Sequence, residues 1–216
     1  GEPASGKDQQ LMTAHPHLVL DGLQVAAAAV GATKAFLAVH ADSPALGPLQ
    51  QALRDRPDGV IVTIRPVPAR YVASEETALV NYLNTGTAKP TFTPPRPFEQ
   101  GVGKRPTAVN NVETLCHVKH IITMGGADYA KLGTPNNTGT RTVSLSGQVR
   151  KPGYYEIEVG KVTIGELINH ENFGGGLLDG RKLKAIIPGG SSAKVFKAGE
   201  KFKLKKKGAD GQMTVV

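Results

Sequence analysis

The segment KAFLAVHADSPALGPLQQALRDRPDGVIVTI, residues 34–64, decides the fold prediction for this chain. Its two ends, residues 34–40 and 60–64, are short apolar runs of the kind that form buried parallel strands. Residues 48–54 lie between them and are predicted to form a helix, and Asp58-Gly59 is predicted to form a turn. Strand, helix and strand in this order predict an α/β layer in which the helix crosses between two parallel strands.

Further helices are predicted on both sides of this segment. Residues 18–30 are apolar and rich in alanine, and Gly31 follows them as a stop signal. Residues 75–83 and 111–124 are also predicted to be helical, the latter from its apolar residues at helical spacing. Between these two helices, residues 86–106 contain five prolines, so we expect an irregular segment that crosses a surface or wraps a site.

The pattern changes after a polar stretch at residues 134–139, which we interpret as a linker and a domain boundary. Residues 143–149 and 154–159 alternate between apolar and polar, as strands do, on either side of a Pro152-Gly153 turn. The expected domains are therefore residues 1–135 and residues 136–216.

A helix and further strands are predicted in the second domain. Thr163 and Glu166 have the spacing of a capping box at the start of a short helix that ends near His170. Residues 182–187 are predicted to form a strand after it. Two strands, a helix and then further strands is the order of a β-grasp fold.

The net charge of +8 comes from the end of the chain. From Arg181 onward there are ten lysines and arginines and two acids, which leaves 16 basic and 16 acidic residues before it. Residues 201–205 alternate lysine with Phe202 and Leu204, which predicts a strand with a solvated basic face. Such a face could attract nucleic acid, but no pattern of stacking aromatic residues accompanies it, so we do not expect nucleic acid as a partner.

The single cysteine, Cys116, excludes an internal disulfide and an all-cysteine metal cage within this chain. Cys116 and His120 are four residues apart and could share a metal ion, but no third ligand lies nearby in sequence, so no metal site is predicted. No apolar run approaches the roughly 18 residues that a membrane-spanning helix needs. Because the chain begins without methionine, we expect a processed chain or a segment of a longer protein.

Three motifs carry candidate chemistry. YVASEETAL, residues 71–79, puts two adjacent carboxylates at a helix start, where the helix dipole alone would favour them. KRPTAVNNVETL, residues 104–115, contains paired asparagines whose amides could bind the edge of a heteroaromatic ring, although Asn111 could equally cap the helix. SLSG at residues 144–147 and IPGGSS at residues 187–192 form the third; the glycine loop could cradle an anion or simply turn the chain.

Together and in this order, the motifs resemble the NADH-binding flavoprotein (F or 51 kDa type) of respiratory complex I, and the related subunits of NAD-linked hydrogenases and formate dehydrogenases. The opening GEP at residues 1–3, followed by Lys7-Asp8, resembles the acidic stretch that precedes the long helix of this family. The resemblance covers nearly the whole chain. It implies an α/β fold in which part of a Rossmann-like flavin domain is followed by a β-grasp domain.

The family binds FMN, takes a hydride from NADH and passes electrons singly to a four-iron (4Fe–4S) cluster, chemistry that belongs to the cofactors rather than to protein acids or bases. By position, the residues expected to contact the flavin or its nucleotide partner are Glu2, Tyr71, Ser74, Glu75, Glu76, Val109, Asn110 and Asn111. Glu2 is expected near the nicotinamide. The chain departs from the family at Ser74, where glycine is usual, and at Thr93 and Arg96, where lysine and phenylalanine are usual.

The resemblance also implies partners and a location. The partners are other subunits of an NADH-oxidising complex, including a thioredoxin-like 2Fe–2S subunit, and the location is the cytoplasmic or matrix side, peripheral to a membrane complex. The phosphate-binding glycine loop and the cluster cysteines of the family are absent from this chain, so the chain alone is expected not to oxidise NADH at a useful rate. The alternative is a degenerate or partial homologue that acts as a structural or docking subunit.

Overall fold

The computed structural model describes residues 2–200 and the backbone of residues 205–207 and 213–215. The first half of the chain builds an α/β unit. Its elements are α1 (Lys7–Ala14), α2 (Pro16–Ala29), β1 (Lys34–His40), α3 (Leu46–Arg54) and β2 (Ile61–Val67). The strand β1 has the bounds that the sequence predicts, α2 and α3 each begin two residues earlier, and α1 is a helix that the sequence analysis missed.

The strands β1 and β2 pair in parallel, in a register that runs from Lys34 opposite Ile61 to His40 opposite Val67. The predicted strand–helix–strand crossover is therefore confirmed. The expectation that β2 is buried throughout is wrong, because alternate residues face outward and Ile61 is 65% exposed. Val62 and Ile64 face the core and are partly buried against it, and Val67 at the end of the strand is buried.

The core lies between β1 and the first three helices. Leu20, Leu49, Val19 and Val39 are its largest fully buried side chains. The buried cluster consists of Met12, Val19, Leu20, Leu37, Val39, Ala45, Leu49, Ala52 and Cys116. Each of α1, α2, α3, β1 and the later helix α5 contributes to it, so burial of apolar surface holds all five elements together.

Three helices follow the sheet: α4 (Glu76–Thr85), α5 (Val112–Met124) and the single turn α6 (Gly126–Tyr129). The helix α5 packs closely against α2 at Gly22. A Cβ atom added to Gly22 would lie 1.8 Å from the backbone oxygen of Leu115. Only glycine therefore permits this approach of the two backbones.

The proline-rich segment, residues 86–106, is irregular as predicted, apart from a 3₁₀ turn at Val102–Lys104. It is fastened to α4 by side chains of that helix. Thr77 Oγ1 accepts a hydrogen bond from the Thr91 N–H (3.0 Å), and Asn84 bonds to the backbone of Gly101 and Gly103 (3.2 and 2.9 Å). The segment thus lies against the helix that carries the Glu75-Glu76 pair.

The second half of the chain consists mainly of short strands. The strands are β3 (Gly133–Thr134), β4 (Asn137–Thr138), β5 (Thr140–Leu145), β6 (Gly153–Glu158), β7 (Ala185–Ile186), β8 (Phe196–Lys197), β9 (Lys205–Lys207) and β10 (Met213–Val215). The helix α7 (Ile164–Asn169) lies between β6 and β7. A 3₁₀ turn at Leu178–Gly180 follows α7. The capping box is confirmed, since Thr163 Oγ1 accepts from the Glu166 N–H and the Glu166 carboxylate accepts from the Thr163 N–H.

Several predicted boundaries in this half are wrong. The expected linker at residues 134–139 is largely a tight hairpin of β3 and β4. Gly133 begins this hairpin and Gly139 follows it, with φ of 81° and 87°. The strand expected at residues 143–149 ends at Leu145, because Gly147 takes a φ of 95° and turns the chain. Val149 forms only a single bridge with Leu177.

The strand expected at residues 182–187 is limited to β7, which pairs with β8 in antiparallel fashion. Of the basic strand expected at residues 201–205, Lys201 to Leu204 lie outside the described residues. The backbone of β9 pairs with β10. Within the described part of the chain the strands form five two-stranded sheets, of which β5–β6 is the longest antiparallel pair.

Glu113 on α5 connects the two halves of the chain. Its Oε1 accepts a hydrogen bond from the Thr142 N–H of β5 (2.5 Å), and its Oε2 forms an ion pair with Lys7 on α1 (3.0 Å). Its side chain is only 15% exposed. Burial raises the pKa of Glu113, but the bonds from Thr142 and Lys7 outweigh this effect and hold the pKa below its ordinary value.

The contact between α2 and α5 predicts a strong effect of Gly22→Ala. The new methyl group would collide with the Leu115 carbonyl, so we expect the free energy of unfolding to fall by about 1–3 kcal/mol or more. Gly47→Ala in α3 is the matched control, because its Cβ would meet nothing within 4 Å. It should leave stability unchanged or raise it by up to about 1 kcal/mol. Urea unfolding of both variants measures this, and equal destabilisation would contradict the close contact.

The junction at Glu113 predicts a pH dependence. Because the folded-state pKa of this carboxyl lies below its ordinary value of 4.5, ionised Glu113 stabilises the fold above about pH 4.5. That contribution is lost as the pH falls through the lowered pKa. Glu113→Gln should therefore lower stability near neutral pH, by on the order of 1–3 kcal/mol, and flatten the loss of stability below pH 4.5.

The control for this measurement is Asp128→Asn, since the Asp128–Lys131 pair is 59% and 77% exposed and should contribute little. Urea unfolding between about pH 2.5 and pH 7 compares the two variants with the unsubstituted protein. A Glu113→Gln variant with an unchanged pH profile would show that the contact does not support the fold.

Candidate functional site

The first group of predicted site residues lies where the chain enters α4. A 3₁₀ turn, Tyr71–Ser74, leads into the helix, and Glu75 is its N-cap. Glu75 Oε2 accepts hydrogen bonds from Thr77 Oγ1 (2.6 Å) and from the Ala78 N–H (2.8 Å). Burial raises the pKa of Glu75, but these bonds outweigh it and keep the pKa below its ordinary value. A backbone bond from Thr77 acts in the same direction, so Glu75 is held as an ionised carboxylate at the start of α4.

Glu76 is the first residue of α4 and faces the proline-rich segment. Its Oε1 lies 3.6 Å from Arg96 Nη1, and the two side chains are 44% and 57% exposed. An exposed ion pair of this length contributes little stability. The pair instead places Arg96 beside Glu76, the second of the two adjacent carboxylates predicted as site residues.

Tyr71 and Ser74 remain at the surface. Tyr71 is 56% exposed, so it is accessible to a ligand. The Ser74 hydroxyl donates to the Tyr71 carbonyl (3.0 Å) within the same turn. Ser74 is not among the described residues with positive φ, so serine is accommodated here without strain. Its side chain adds bulk at the position where the resemblance leads us to expect glycine.

The second group lies at the start of α5, where Asn111 is the N-cap. Asn111 Oδ1 accepts from the Glu113 N–H (3.0 Å) and from Lys7 Nζ (2.9 Å), and its Nδ2 donates to Asp8 Oδ2 (2.9 Å). Both acceptor positions of the amide oxygen and one of its two donors are thus engaged. The capping interpretation of Asn111 is confirmed, and its amide is fixed in orientation.

Asn110 is the opposite case. Its side chain is exposed and makes no hydrogen bond within the described part of the chain. Val109 beside it is 37% exposed. Of the two predicted asparagines, Asn110 is therefore the one whose full amide is available to a ligand.

Glu2 binds elsewhere in the chain. Its Oε1 accepts from the Ser191 N–H (3.1 Å) and its Oε2 from Ser191 Oγ (2.9 Å). The backbone bond from Ser191 is the largest cause of a pKa of Glu2 below its ordinary value, and it prevails over burial. The glycine loop at residues 187–192 therefore does hold an anion, the carboxylate of this same chain.

The structure does not join the predicted residues into one bonded cluster. Among the described hydrogen bonds and ion pairs, none links residues 71–76 with residues 109–111, and Glu2 bonds to neither group. Their meeting at one pocket stays a prediction. Sequence reasoning missed the residues that organise the groups, above all Thr77 on α4 and Asp8 on α1. Their signal was weak, because a threonine or an acid in the first turn of a helix is common.

The surroundings of Cys116 explain its chemistry. It is 4% exposed, and burial raises the pKa of its thiol to about 11. His120, in contrast, is exposed. In the part of the chain that the structure describes, no group of three or more His, Cys, Asp or Glu side chains could hold a metal ion. None of the helices described there is long and apolar enough to cross a membrane.

Known proteins resemble this chain along most of its length. It is 38% identical to the second F-type subunit of the NADH-quinone oxidoreductase of Rhizobium meliloti, over 93% of this chain and 50% of that protein. It is 35% identical to the F-type subunit of the NADH-quinone oxidoreductase of Salmonella typhimurium, over 88% of this chain and 45% of that protein. The chain thus spans about half the length of these relatives.

A solved structure shares the fold. The crystal structure of an NAD⁺-reducing [NiFe]-hydrogenase in the air-oxidised state matches with a TM-score of 0.82 and 34% sequence identity, over 92% of this chain and 34% of that one. The mixed helix and strand arrangement is therefore that of the 51 kDa flavoprotein type. Residues 1–120 match the family model described as the Nuo51 FMN-binding domain, and with these relatives this shows that the chain belongs to the 51 kDa flavoprotein family of complex I.

Proposed function

We propose that this chain forms part of the site at which an NADH-oxidising flavoprotein binds FMN and NADH. FMN, when bound, accepts a hydride from NADH and gives up the electrons one at a time. The residues of this chain would position the two molecules. Tyr71, Glu75, Glu76, Val109 and Asn110 would contact them, and Asn111 would act by fixing the start of α5.

The observation that carries this proposal is the contrast between Asn110 and Asn111. Asn111 is locked by Lys7, Asp8 and the Glu113 N–H, which fixes the backbone beside it. The next side chain, Asn110, is exposed and has no partner among the described residues. A free amide on a rigid support can donate to and accept from the polar edge of an isoalloxazine ring, which presents both kinds of group.

The carboxylates at α4 suit a different part of the bound molecules. An ionised carboxylate accepts hydrogen bonds and does not donate them, so Glu75 and Glu76 fit hydroxyl and amide groups rather than phosphates. Arg96 beside Glu76 offsets the negative charge there and could interact with an anionic group. Hydride transfer requires no proton from either residue.

We also propose the finer fold assignment. Residues 1–135 would be part of a Rossmann-like flavin domain, a division supported by the parallel β1–β2 pair and its crossover helix. Residues 136–216 would be a β-grasp domain. This proposal is supported by the order of the elements. The antiparallel pair β5–β6 comes first, the helix α7 follows, and further strands come after the helix.

The parent protein would act within a larger assembly. We propose that it passes electrons from FMN to a 4Fe–4S cluster and from there to other subunits, including a thioredoxin-like 2Fe–2S subunit. Its place would be the cytoplasmic or matrix side of a membrane complex. The names of the relatives, which are subunits of quinone oxidoreductases, and the match to a hydrogenase that reduces NAD⁺ support this assignment.

A second candidate is a homologue that has a structural or docking role without NADH oxidation of its own. The contact that favours it is the Glu76–Arg96 pair, because a cation placed beside a site carboxylate competes with a ligand for that carboxylate. Serine at position 74 also favours the structural or docking role, since its side chain lies where a ligand would approach the backbone.

Asn110→Ala tests the flavin site. The loss of one or two hydrogen bonds should weaken FMN binding about five- to fiftyfold, and stability should not change because Asn110 has no partner among the described residues. The quenching of flavin fluorescence during titration of the protein measures the affinity.

The matched control is Asn136→Ala, which removes another exposed asparagine without a described partner, in the turn between β3 and β4. It should leave FMN affinity unchanged. If Asn110→Ala binds FMN as tightly as the unsubstituted protein does, the assignment of this side chain to the flavin is wrong.

The activity of the complete protein that contains this chain separates the two candidate functions. With FMN bound and a soluble dye as electron acceptor, we expect oxidation of NADH, since dye reduction bypasses the iron–sulfur cluster. A Glu75→Gln variant should lower kcat/KM for NADH by about tenfold. Saturable FMN binding without dye reduction would instead support the docking role.

A further inference from the structure

The contact between Glu2 and the glycine loop brings together residues that are 189 positions apart. Ser191 uses two donors, its N–H and its hydroxyl, one on each oxygen of the Glu2 carboxylate. A pair of hydrogen bonds to the two oxygens fixes the plane of a carboxylate as well as its position. The contact therefore orients Glu2 and does more than attach it.

The glycine loop is shaped around this carboxylate. Gly189 and Gly190 have φ of 100° and 86°, a conformation that side chains rarely adopt. A Cβ atom on Gly190 would lie 2.3 Å from the carboxyl carbon of Glu2. The backbone conformation thus favours glycine at position 190, and any side chain there would displace the Glu2 carboxylate from its present place.

The oriented carboxylate retains room for a ligand. An ionised carboxylate has about four acceptor positions. Three are occupied, by Ser191 N–H, Ser191 Oγ and the Ala4 N–H (3.3 Å). One acceptor position is left for a group that donates, such as an amide N–H or a ribose hydroxyl.

Glu2 also lies within a short reach of the Asn111 anchor. It is five positions before Lys7, whose ammonium group contacts Asn111 at 2.9 Å. That length of chain spans at most about 18 Å when extended. It is shorter here, because the Ser5 N–H donates to the Glu2 carbonyl (3.0 Å) and closes a turn.

We propose that Ser191 is a positioning residue of the nucleotide site, which holds the Glu2 carboxylate so that it accepts a hydrogen bond from bound NADH. This inference rests on the proposed function. It gives the second half of the chain a part in substrate binding, since the loop at residues 187–192 follows the expected β-grasp helix. Glu2 contacts the nucleotide, and Ser191 acts only through Glu2.

The experiment uses the complete native protein with FMN bound and follows NADH oxidation with a dye acceptor. Ser191→Ala should raise the KM for NADH about three- to tenfold and leave kcat within about twofold, because one bond that orients Glu2 is lost. Ser191→Thr, which keeps the hydroxyl, should restore the KM. Ser192→Ala is the matched control, since this neighbouring serine is exposed and makes no hydrogen bond among the described residues.

A second measurement observes Glu2 itself. Titration of its carboxyl by NMR should show a higher pKa in Ser191→Ala than in the unsubstituted protein, whereas Ser192→Ala should show no change. This readout requires no turnover. It also detects Gly190→Ala, whose methyl group should displace Glu2 and raise its pKa in the same direction.

The outcomes separate this inference from the proposed function. If FMN binds and NADH is oxidised but Ser191→Ala has an unchanged KM, the positioning role is wrong and the proposed function stands. An equal rise in KM for Ser191→Ala and Ser192→Ala would overturn the role in the same way. Failure of the unsubstituted protein to bind FMN would contradict both. An unchanged Glu2 titration in Ser191→Ala would show that the Ser191 hydroxyl does not hold the carboxylate, and the positioning role would be wrong.

Discussion

The ammonium group of Lys7 is the interaction on which the rest of the arrangement depends. It is 23% exposed and contacts Asp8, Asn111 and Glu113 at 2.6, 2.9 and 3.0 Å. Burial alone would lower the pKa of Lys7, but the bonds to Asp8 and Glu113 prevail and raise it. Because both acids and the asparagine oxygen face the same cation, the removal of Lys7 would leave two partly buried carboxylates close together without a counter-charge. One side chain thus joins α1, α5 and, through Glu113, the strand β5.

Local sequence signals predicted the elements that depend on local interactions. The bounds of β1 and the capping box at Thr163 follow from residue types within a few positions, and both agree with the structure. The helix α1 was missed because its burial is small, with Met12 as its buried residue, so it has no apolar stripe to reveal it. The hairpin of β3 and β4 was interpreted as a linker because its polar residues also suit a loop, and the positive φ of Gly133 and Gly139 shows only in the structure.

The residues of the candidate site are predicted from their types. Residue type alone does not distinguish a side chain that holds the backbone in place from one that contacts a ligand. Glu75 and Asn111 are both N-caps, a role for which carboxylates and amides are favoured wherever a helix begins. The same groups are suited to bind a flavin or a nucleotide. What distinguishes Asn110 from Asn111 is the set of partners that arrive from α1, more than 100 positions away in sequence. No pattern within the motif could have indicated that assignment.

The two roles depend on each other. A side chain that binds a ligand must have free donors and acceptors, and in water such a side chain is mobile unless its backbone is held. Capping by Asn111 fixes the backbone next to Asn110, and capping by Glu75 does the same for Tyr71 and Ser74. Glu2 is a third case, in which the fixing group is Ser191 from the far end of the chain. In each pair the engaged residue limits the motion of its neighbour, so the rigidity of the proposed site would be set by hydrogen bonds within the chain that form before any ligand binds.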